Sequence, residues 1–346
     1  MRTLLTIALL SSRILADGIP ISGQITDAEG KPASGVEFGA EWATRNGKLL
    51  PFQRWKPGAD GKYSGELHWK SGAMAFLALD AAQTNGALLV VEEKDLKAPM
   101  SIDMKLGPLS GVSGSLACPA IGPALGTTSL FVEARPSGAR VAWLTQKNDK
   151  FAIPLPPGDY EAVAMAFDAK KLRTAFKVEV GGKALDLGKL ELAPTEIAQS
   201  WGKAPPAFAA TAARGVPADL KLATLKGKWV LVVFWSAEAD DFTRVVYQNL
   251  KGLLERQKAA AGEFEILALY DSSARDWKEY DAKVANLRAG IWGGTDPPFP
   301  VLLDSTGETW KAWGIESKSA MALIDPDGNV VRGGNDRVLE EKLNAK

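Results

Sequence analysis

The sequence predicts a multidomain chain of two all-β sandwich modules followed by an α/β domain, and three observations predict it. Residues 19–192 are short runs of alternating polar and apolar residues cut by Gly, Pro, Asp and Asn, the pattern of strands in a sandwich. That pattern occurs twice in succession. From about Trp201 onward, strand-like apolar runs alternate with segments of helical period, as an α/β domain requires.

At 346 residues and 46% hydrophobic content, the chain has the length for two or three domains and the apolar material for their cores. Lys+Arg and Asp+Glu both total 41, so no overall field draws the protein to nucleic acid. The start, MRTLLTIALLSSRILADG, joins a basic end to an apolar run, Leu4 to Leu10, and then to Ile14-Leu15-Ala16 with a small residue at the end. This layout predicts a signal peptide over 1–16, cleavage after about Ala16, and a periplasmic or secreted protein. No later run reaches the ~18 apolar residues of a transmembrane segment. No cysteine follows the apolar run to accept a lipid.

The first module, 19–108, opens with the Gly-centred strand ISGQITD at Ile21, and VSGSLAC at Val112 opens the second, 109–193. GKYSGELHWKSGAMAFLALD from Gly61 is echoed by DKFAIPLPPGDYEAVAMAFD from Asp149: an aromatic strand, a turn, then an apolar strand ending in Asp80 or Asp168. In the first copy DAEGKPASGVEFGAEW adds a tight turn and a strand with Val36, Phe38 and Ala40 on one face. These motifs resemble the carboxypeptidase regulatory-like family of transthyretin-like β-sandwiches, well in the first copy and more weakly in the second. The resemblance implies a fold and says little about function.

The Pro-rich stretch 194–204 then reads as a linker ahead of the 205–346 domain. WVLVVFW, Trp229 to Trp235, is a continuous apolar run of the kind found in strands covered on both faces. DDFTRVVYQNLKGLLERQ places Phe242, Val245, Val246, Leu250, Leu253 and Leu254 on one helical face. FEILALYD, FPVLLD and MALIDPDGNVV supply further strands, and DSSARDWKEYDAKVANL and ETWKAWGI further helices.

That order, with WGKAPPAF, LKGKWVLVVFW, FPVLLDSTGETWKAWGI and ALIDPDGNVV, resembles the redoxin branch of the thioredoxin superfamily: TlpA-like thiol-disulfide oxidoreductases and the AhpC/TSA family. The resemblance covers about 201–335. It implies a thiolate at the start of the first helix, where the dipole lowers its pKa, and a second cysteine three residues on. Laid over FWSAEADDF, those positions fall at Ala239 and Phe242, neither of which can form a disulfide. The family's cis-proline position falls at Ser319, where a cis bond would cost about 2.5–4 kcal/mol and a trans bond is expected. The emptied site therefore comprises Trp235, Ser236, Glu238, Ala239, Asp240, Asp241, Phe242 and Ser319, with no catalytic residue.

Glu238, Asp240 and Asp241 are expected to cap the helix and complement its dipole, and DxDxDG calcium spacing is absent. His68 lies in the alternating stretch GELHWK and reads as a sheet-face residue, not a member of a Ser-His-Asp triad. A lone cysteine, Cys118, and a lone histidine leave no intrachain disulfide and no Cys/His zinc set, so no metal and no cofactor are expected. Cys118 reads as a small buried hydrophobe. Trp42, Trp55, Trp69 and Trp143 would stack on sugars if exposed, and core packing is the preferred reading.

Three functions fit these observations. The first is an exported, redox-inactive thioredoxin-like protein that binds or scaffolds a protein or peptide. The second is an oxidoreductase or peroxiredoxin-family protein working through a partner's cysteines or through Cys118. The third is an accessory module for polysaccharide or peptidase systems, with carbohydrate as the partner.

Overall fold

In the first copy the alternating runs become β1 (Ile19–Thr26), β2 (Glu37–Arg45), β3 (Lys48–Trp55), β4 (Lys62–Leu67), β5 (Met74–Leu79) and β6 (Asn85–Val91), then the short β7 (Met100–Ser101), β8 (Met104–Lys105) and β9 (Gly107–Pro108). The second copy forms β10 (Ser110–Ala117), β11 (Thr128–Ala134), β12 (Ala139–Gln146), β13 (Lys150–Leu155), β14 (Gly158–Ala166), β15 (Ala169–Val178) and β16 (Leu185–Glu191). The computed structural model describes residues 18–45, 48–69, 71–97, 99–122, 128–146, 149–166, 168–237, 240–315 and 319–345. The chain divides into two compact units, Met1–Ala193 and Pro194–Lys346. The expected signal peptide, 1–16, lies outside the described residues.

The repeat seen in the sequence is a repeat of pairing. β1 pairs antiparallel with β4 and parallel with β7 and β8, and β10 pairs antiparallel with β13 and parallel with β16. The glycine at each strand's centre faces an aromatic ring: Gly23 is opposite Tyr63, and Gly114 is opposite Phe151. Glycine is required there by space. Tyr63 crosses over Gly23 to donate its hydroxyl to the Ile102 carbonyl at 2.6 Å. A Cβ on Gly23 would lie 1.9 Å from that carbonyl oxygen, and one on Gly114 would lie 2.6 Å from the Phe151 Cζ.

The larger strands of both copies share one sheet of nine strands, ordered β15-β14-β11-β12-β2-β5-β6-β9, with β3 also on β2. The join is at β2. Its residues 37–40 pair with β5, and Trp42 and Ala43 then pair in parallel with Ala142 and Trp143 of β12. Glu41, between these partners, has φ 55, a left-handed conformation unusual outside glycine. Trp42, next to it, is buried and donates its indole N–H to the Gly39 carbonyl at 2.9 Å.

β5 is buried on both faces. Phe76 and Ala78 enter the first copy's core with Ile21, Phe38, Trp55 and Tyr63. Ala75, Leu77 and Leu79, pointing the other way, are equally buried. Leu109, at the start of the second copy, covers part of that second face beside Leu79 and Gly86. An isolated sandwich strand would be wet there; joining the copies dries it. Trp55 is in the core and Trp69 packs at its margin, while Trp143 is half-buried against Phe131, ring centroids 5.9 Å apart.

The second unit contains α1 (Glu196–Gln199), β17 (Ala212–Arg214), β18 (Trp229–Trp235), α2 (Asp240–Arg256), β19 (Phe264–Tyr270), α3 (Trp277–Lys283), α4 (Ala285–Gly290), β20 (Val301–Leu303), α5 (Glu308–Ala312), β21 (Ser319–Ile324) and α6 (Asp336–Asn344). Its sheet is ordered β17-β20-β19-β18-β21. β18 runs parallel to β19 and antiparallel to β21. Leu231 and Val233 pack toward α2 and α6, whereas Val230, Val232 and Phe234 pack toward Trp313 and the segment before β18.

Two expectations change. Residues 194–204 are not a free linker: Thr195 caps α1 by accepting from the Ala198 N–H, and Val330 exchanges backbone bonds with Gly202 and Lys203 at 2.8 and 2.9 Å. These contacts are single bonds and one helical turn, too short to leave a periodicity. In α2, Val246, Leu250 and Leu253 are buried as expected, but Val245 is 53% exposed and Tyr247 takes its place. The helix phase set by positions 246, 250 and 253 turns 245 outward.

Gly23→Ala is expected to destabilise the N-terminal unit by about 1–3 kcal/mol, because backbone rather than a flexible side chain stands in the way. Gly111→Ala is the control, since its Cβ would meet nothing within 4 Å. Calorimetry should show a lower melting transition for the first only; equal transitions would contradict the close approach at Ile102.

Candidate functional site

The site expected from the sequence lies at the carboxyl end of β18. Trp235 is the last residue of that strand and pairs with Tyr270 of β19 on one side and Ser319 of β21 on the other. Ser236 follows and is buried. Ser319, half-buried, is the first residue of β21, so three strand termini meet at one place. α2 begins at Asp240, which puts Asp240, Asp241 and Phe242 in its first turn, where aspartates favour the dipole. Glu238 and Ala239 lie outside the described residues, as do the side chains of Asp240, Asp241 and Phe242. Lys318, whose bond to Ser319 was expected to be trans, lies outside them too.

Beneath the strand end the space is filled by aromatic rings. Trp235 meets Tyr270, Tyr280 and Trp292 at centroid distances of 4.8, 6.0 and 5.9 Å, all edge-on. Edge-on pairs of this kind contribute about 0.5–1.5 kcal/mol each beyond the area they bury. A cavity of about 30 Å³ remains among Trp235, Tyr247, Trp292 and Phe299, too small for anything beyond a molecule the size of water. The indole N–H groups of Trp235 and Trp292 and the Tyr280 hydroxyl are buried without a hydrogen-bond partner. Burial drives the Tyr280 phenol strongly upward, holding it neutral.

A charged brace on the outer side of this cluster was not foreseen from the sequence. Arg214, at the end of β17, grips Asp281 of α3 with two bonds of 2.9 and 2.8 Å and lies 4.0 Å over the Trp277 ring. Arg288 of α4 donates to Asp281 at 2.7 Å and to Asp296 at 2.6 Å. Two cations and two carboxylates thus tie β17, α3, α4 and the 291–300 loop together. The partners are up to 82 residues apart (296 − 214) and look like ordinary surface charges in sequence. Only the aromatic pair Trp277 and Tyr280, three apart on a helix beside Asp281, could have hinted at it. The Arg214 guanidinium, followed by that of Arg288, lowers the Asp281 carboxyl to about 2.

The remaining candidates stand elsewhere. Cys118 is buried in the N-terminal unit, just after β10. His68 is exposed just past β4 and not on a sheet face; its backbone, not its ring, is held by Gln53. Among the described residues no group of three His, Cys, Asp or Glu side chains could hold a metal ion. No described helix is long and apolar enough to cross a membrane.

With sheet order and strand-end geometry defined, comparison with known proteins agrees on the C-terminal unit. The AhpC/TSA family model matches residues 201–332. Among solved structures, a Chlorobium tepidum protein assigned as thiol:disulfide interchange protein DsbE is 19% identical, with 40% of this chain and 94% of that chain covered and a TM-score of 0.29. The thioredoxin domain of a thiol-disulfide oxidoreductase from Bacteroides vulgatus is 20% identical over 36% of this chain and 84% of that chain, TM-score 0.28. The exposed lipoprotein thioredoxin of Streptococcus pneumoniae is 23% identical over 37% and 91%, TM-score 0.28. No curated protein matches the chain. The match to the AhpC/TSA model lies within the C-terminal unit, and the N-terminal unit is strand-rich.

The brace has a pH signature. A carboxyl held at about 2 when folded and near 3.9 when unfolded stabilises the fold above pH ~4, and the contribution is lost as pH falls toward 2. With the Asp281 side chain 37% exposed, screening reduces this to about 1 kcal/mol. Asp281→Asn should therefore be less stable at pH 7 and lose less stability than the natural protein between pH 4 and 2. Parallel pH profiles in urea unfolding would contradict it.

Proposed function

We propose that this is an exported, redox-inactive thioredoxin-like protein, a pseudoenzyme whose C-terminal domain keeps the redoxin scaffold for binding a protein or peptide. Its two β copies are proposed to be carboxypeptidase regulatory-like modules that carry or present that domain. The observation that carries this reading is the pairing of Trp235 with Ser319 at the strand end before α2, in a sequence that has alanine and phenylalanine where the family has cysteines. Thiolate attack is the first step of disulfide exchange, so a site without sulfur cannot begin it.

Cys118 gives little support to chemistry in trans, because its thiol is buried and attack requires access. The packed aromatics under the strand end favour recognition at the surface over a deep substrate pocket. Burial of Trp42 and Trp55 removes two of the four rings on which a carbohydrate-binding reading rested. The three-part layout ending at Ala16 supports export.

The natural protein is expected to show no dithiol-dependent insulin reduction above background; reduction abolished by Cys118→Ser would overturn the proposal. Ala239→Cys with Phe242→Cys should form a disulfide, since residues three apart at a helix start are neighbours. Reductase activity should stay low until Ser319→Pro and the changes of Asp240 and Asp241 to Asn are added, which relieve opposition to the thiolate and supply the proline ledge. A double-cysteine variant that folds but does not oxidise would show that 239 and 242 are not the cysteine positions. Intact mass from the native host should correspond to a chain starting after about Ala16, and a mature chain beginning at Met1 would refute export.

A further inference from the structure

The nine-stranded sheet of the N-terminal unit ends at β15, which has β14 on one side and no further strand on the other. The direction of its backbone groups follows from its neighbours. Arg135 N–H donates to the Asp159 carbonyl at 2.9 Å, so Asp159 of β14 turns its backbone groups toward β11, and Tyr160 turns its own toward β15. Tyr160 is opposite Phe176, so Phe176 and Thr174 bond inward to β14, whereas Arg173, Ala175 and Lys177 direct their N–H and C=O groups out of the sheet. Among the described residues no backbone group bonds to any of these six. All three residues are exposed. The rest of the chain closes only the start of the strand, where Lys170 N–H donates to the Ala193 carbonyl at 2.8 Å.

This free edge is basic. β15 carries Lys170, Lys171, Arg173 and Lys177 and no acidic residue. The strand already bonded to it shows what answers such a sequence: on β14, Asp159 stands opposite Lys177 and Glu161 pairs with Arg173, which Glu133 of β11 also reaches at 3.0 Å. Lys177 pairs with Glu179 just past the strand, but both side chains are more than half exposed, so the pair is screened and holds Lys177 weakly. Leu172, Thr174 and Phe176 alternate with the basic residues and share the side of buried Tyr160, on which Phe176 stacks at 5.5 Å. They are only half-buried, because cover stops at the edge. A second copy of β15 does not fit there. Antiparallel registers centred on residue 173, 174 or 175 each set two of Lys171, Arg173 and Lys177 directly against one another.

We propose that this edge takes an extended acidic segment of a partner protein as a further strand, with carboxylates opposite Arg173 and Lys177 and apolar side chains beside Leu172, Thr174 and Phe176. Lysines on an edge strand keep like strands away, and an acidic strand is the kind they admit. The site belongs to the N-terminal unit, so it stands or falls separately from the reading of the Trp235 strand end.

The test is calorimetric titration of the full-length protein with the acetylated, amidated peptide Val-Glu-Val-Thr-Val-Glu-Val, whose glutamates are spaced to face Arg173 and Lys177. Saturable one-to-one binding is expected, weakening as salt is raised, and about tenfold weaker for the peptide with lysine in place of both glutamates. N-methylation at the glutamates and the threonine, whose N–H groups turn toward β15, should abolish binding. N-methylation at the valines between them, whose N–H groups turn to solvent, should leave it. Ala175→Pro removes an outward donor that the fold does not use, and should abolish binding with the thermal transition retained. Lys177→Glu, a surface change, should weaken binding about fivefold and keeps the test decisive if the proline variant does not fold. No saturation at millimolar peptide, equal binding of the lysine peptide, or indifference to which nitrogens are methylated would overturn the proposal.

Discussion

A strand that is dry on both faces must be covered from both sides, and two such strands organise this protein. β18 is covered by α2 and α6 on one face and by Trp313 and the preceding segment on the other. Its seven residues set the register of β19 and β21, so the position of Ser319 against Trp235 follows from how β18 is buried. In the N-terminal unit β5 has the same property, and the second face it must hide obliges the two copies to come together. Burial of apolar area, at ~25 cal/mol per Å², drives both arrangements. The chain has no intrachain disulfide available to help.

This explains what could be read in advance. A continuous apolar run such as WVLVVFW states its own burial, and the repeat of a Gly-centred strand and an aromatic strand was legible, although their pairing, Gly23 with Tyr63 and Gly114 with Phe151, was not. The merging of the copies was not legible. MAFLAL looks the same whether its second face is wet or dry, and the switch at Glu41 is a backbone conformation with no glycine to mark it. The folded segment at 194–204 escaped notice for a related reason, because a single bridge to Val330 has no period. The Arg214, Asp281, Arg288 and Asp296 brace was hidden by separation along the chain.

At the strand end, packing and polarity pull in different directions. Four aromatic rings converge where strand termini meet, and three of their polar atoms are left without partners. Leaving a buried donor unmade costs about 1–3 kcal/mol, so the cluster is less stable than its ring contacts alone suggest. The brace outside it compensates in position if not in energy. It fixes α3 and α4 against β17, and thereby holds Tyr280 and Trp277 in place.

The join at β2 also has a mechanical meaning. β11 and β12 bond along their whole length, whereas β2 and β12 meet over only two residues each. Separating the copies at that seam therefore breaks fewer backbone pairings than separating β11 from β12. What the parting uncovers is the second face of β5, with Ala75, Leu77 and Leu79. The narrow seam thus acts as a cover: it keeps from solvent an apolar face whose exposure would make the chain adhesive.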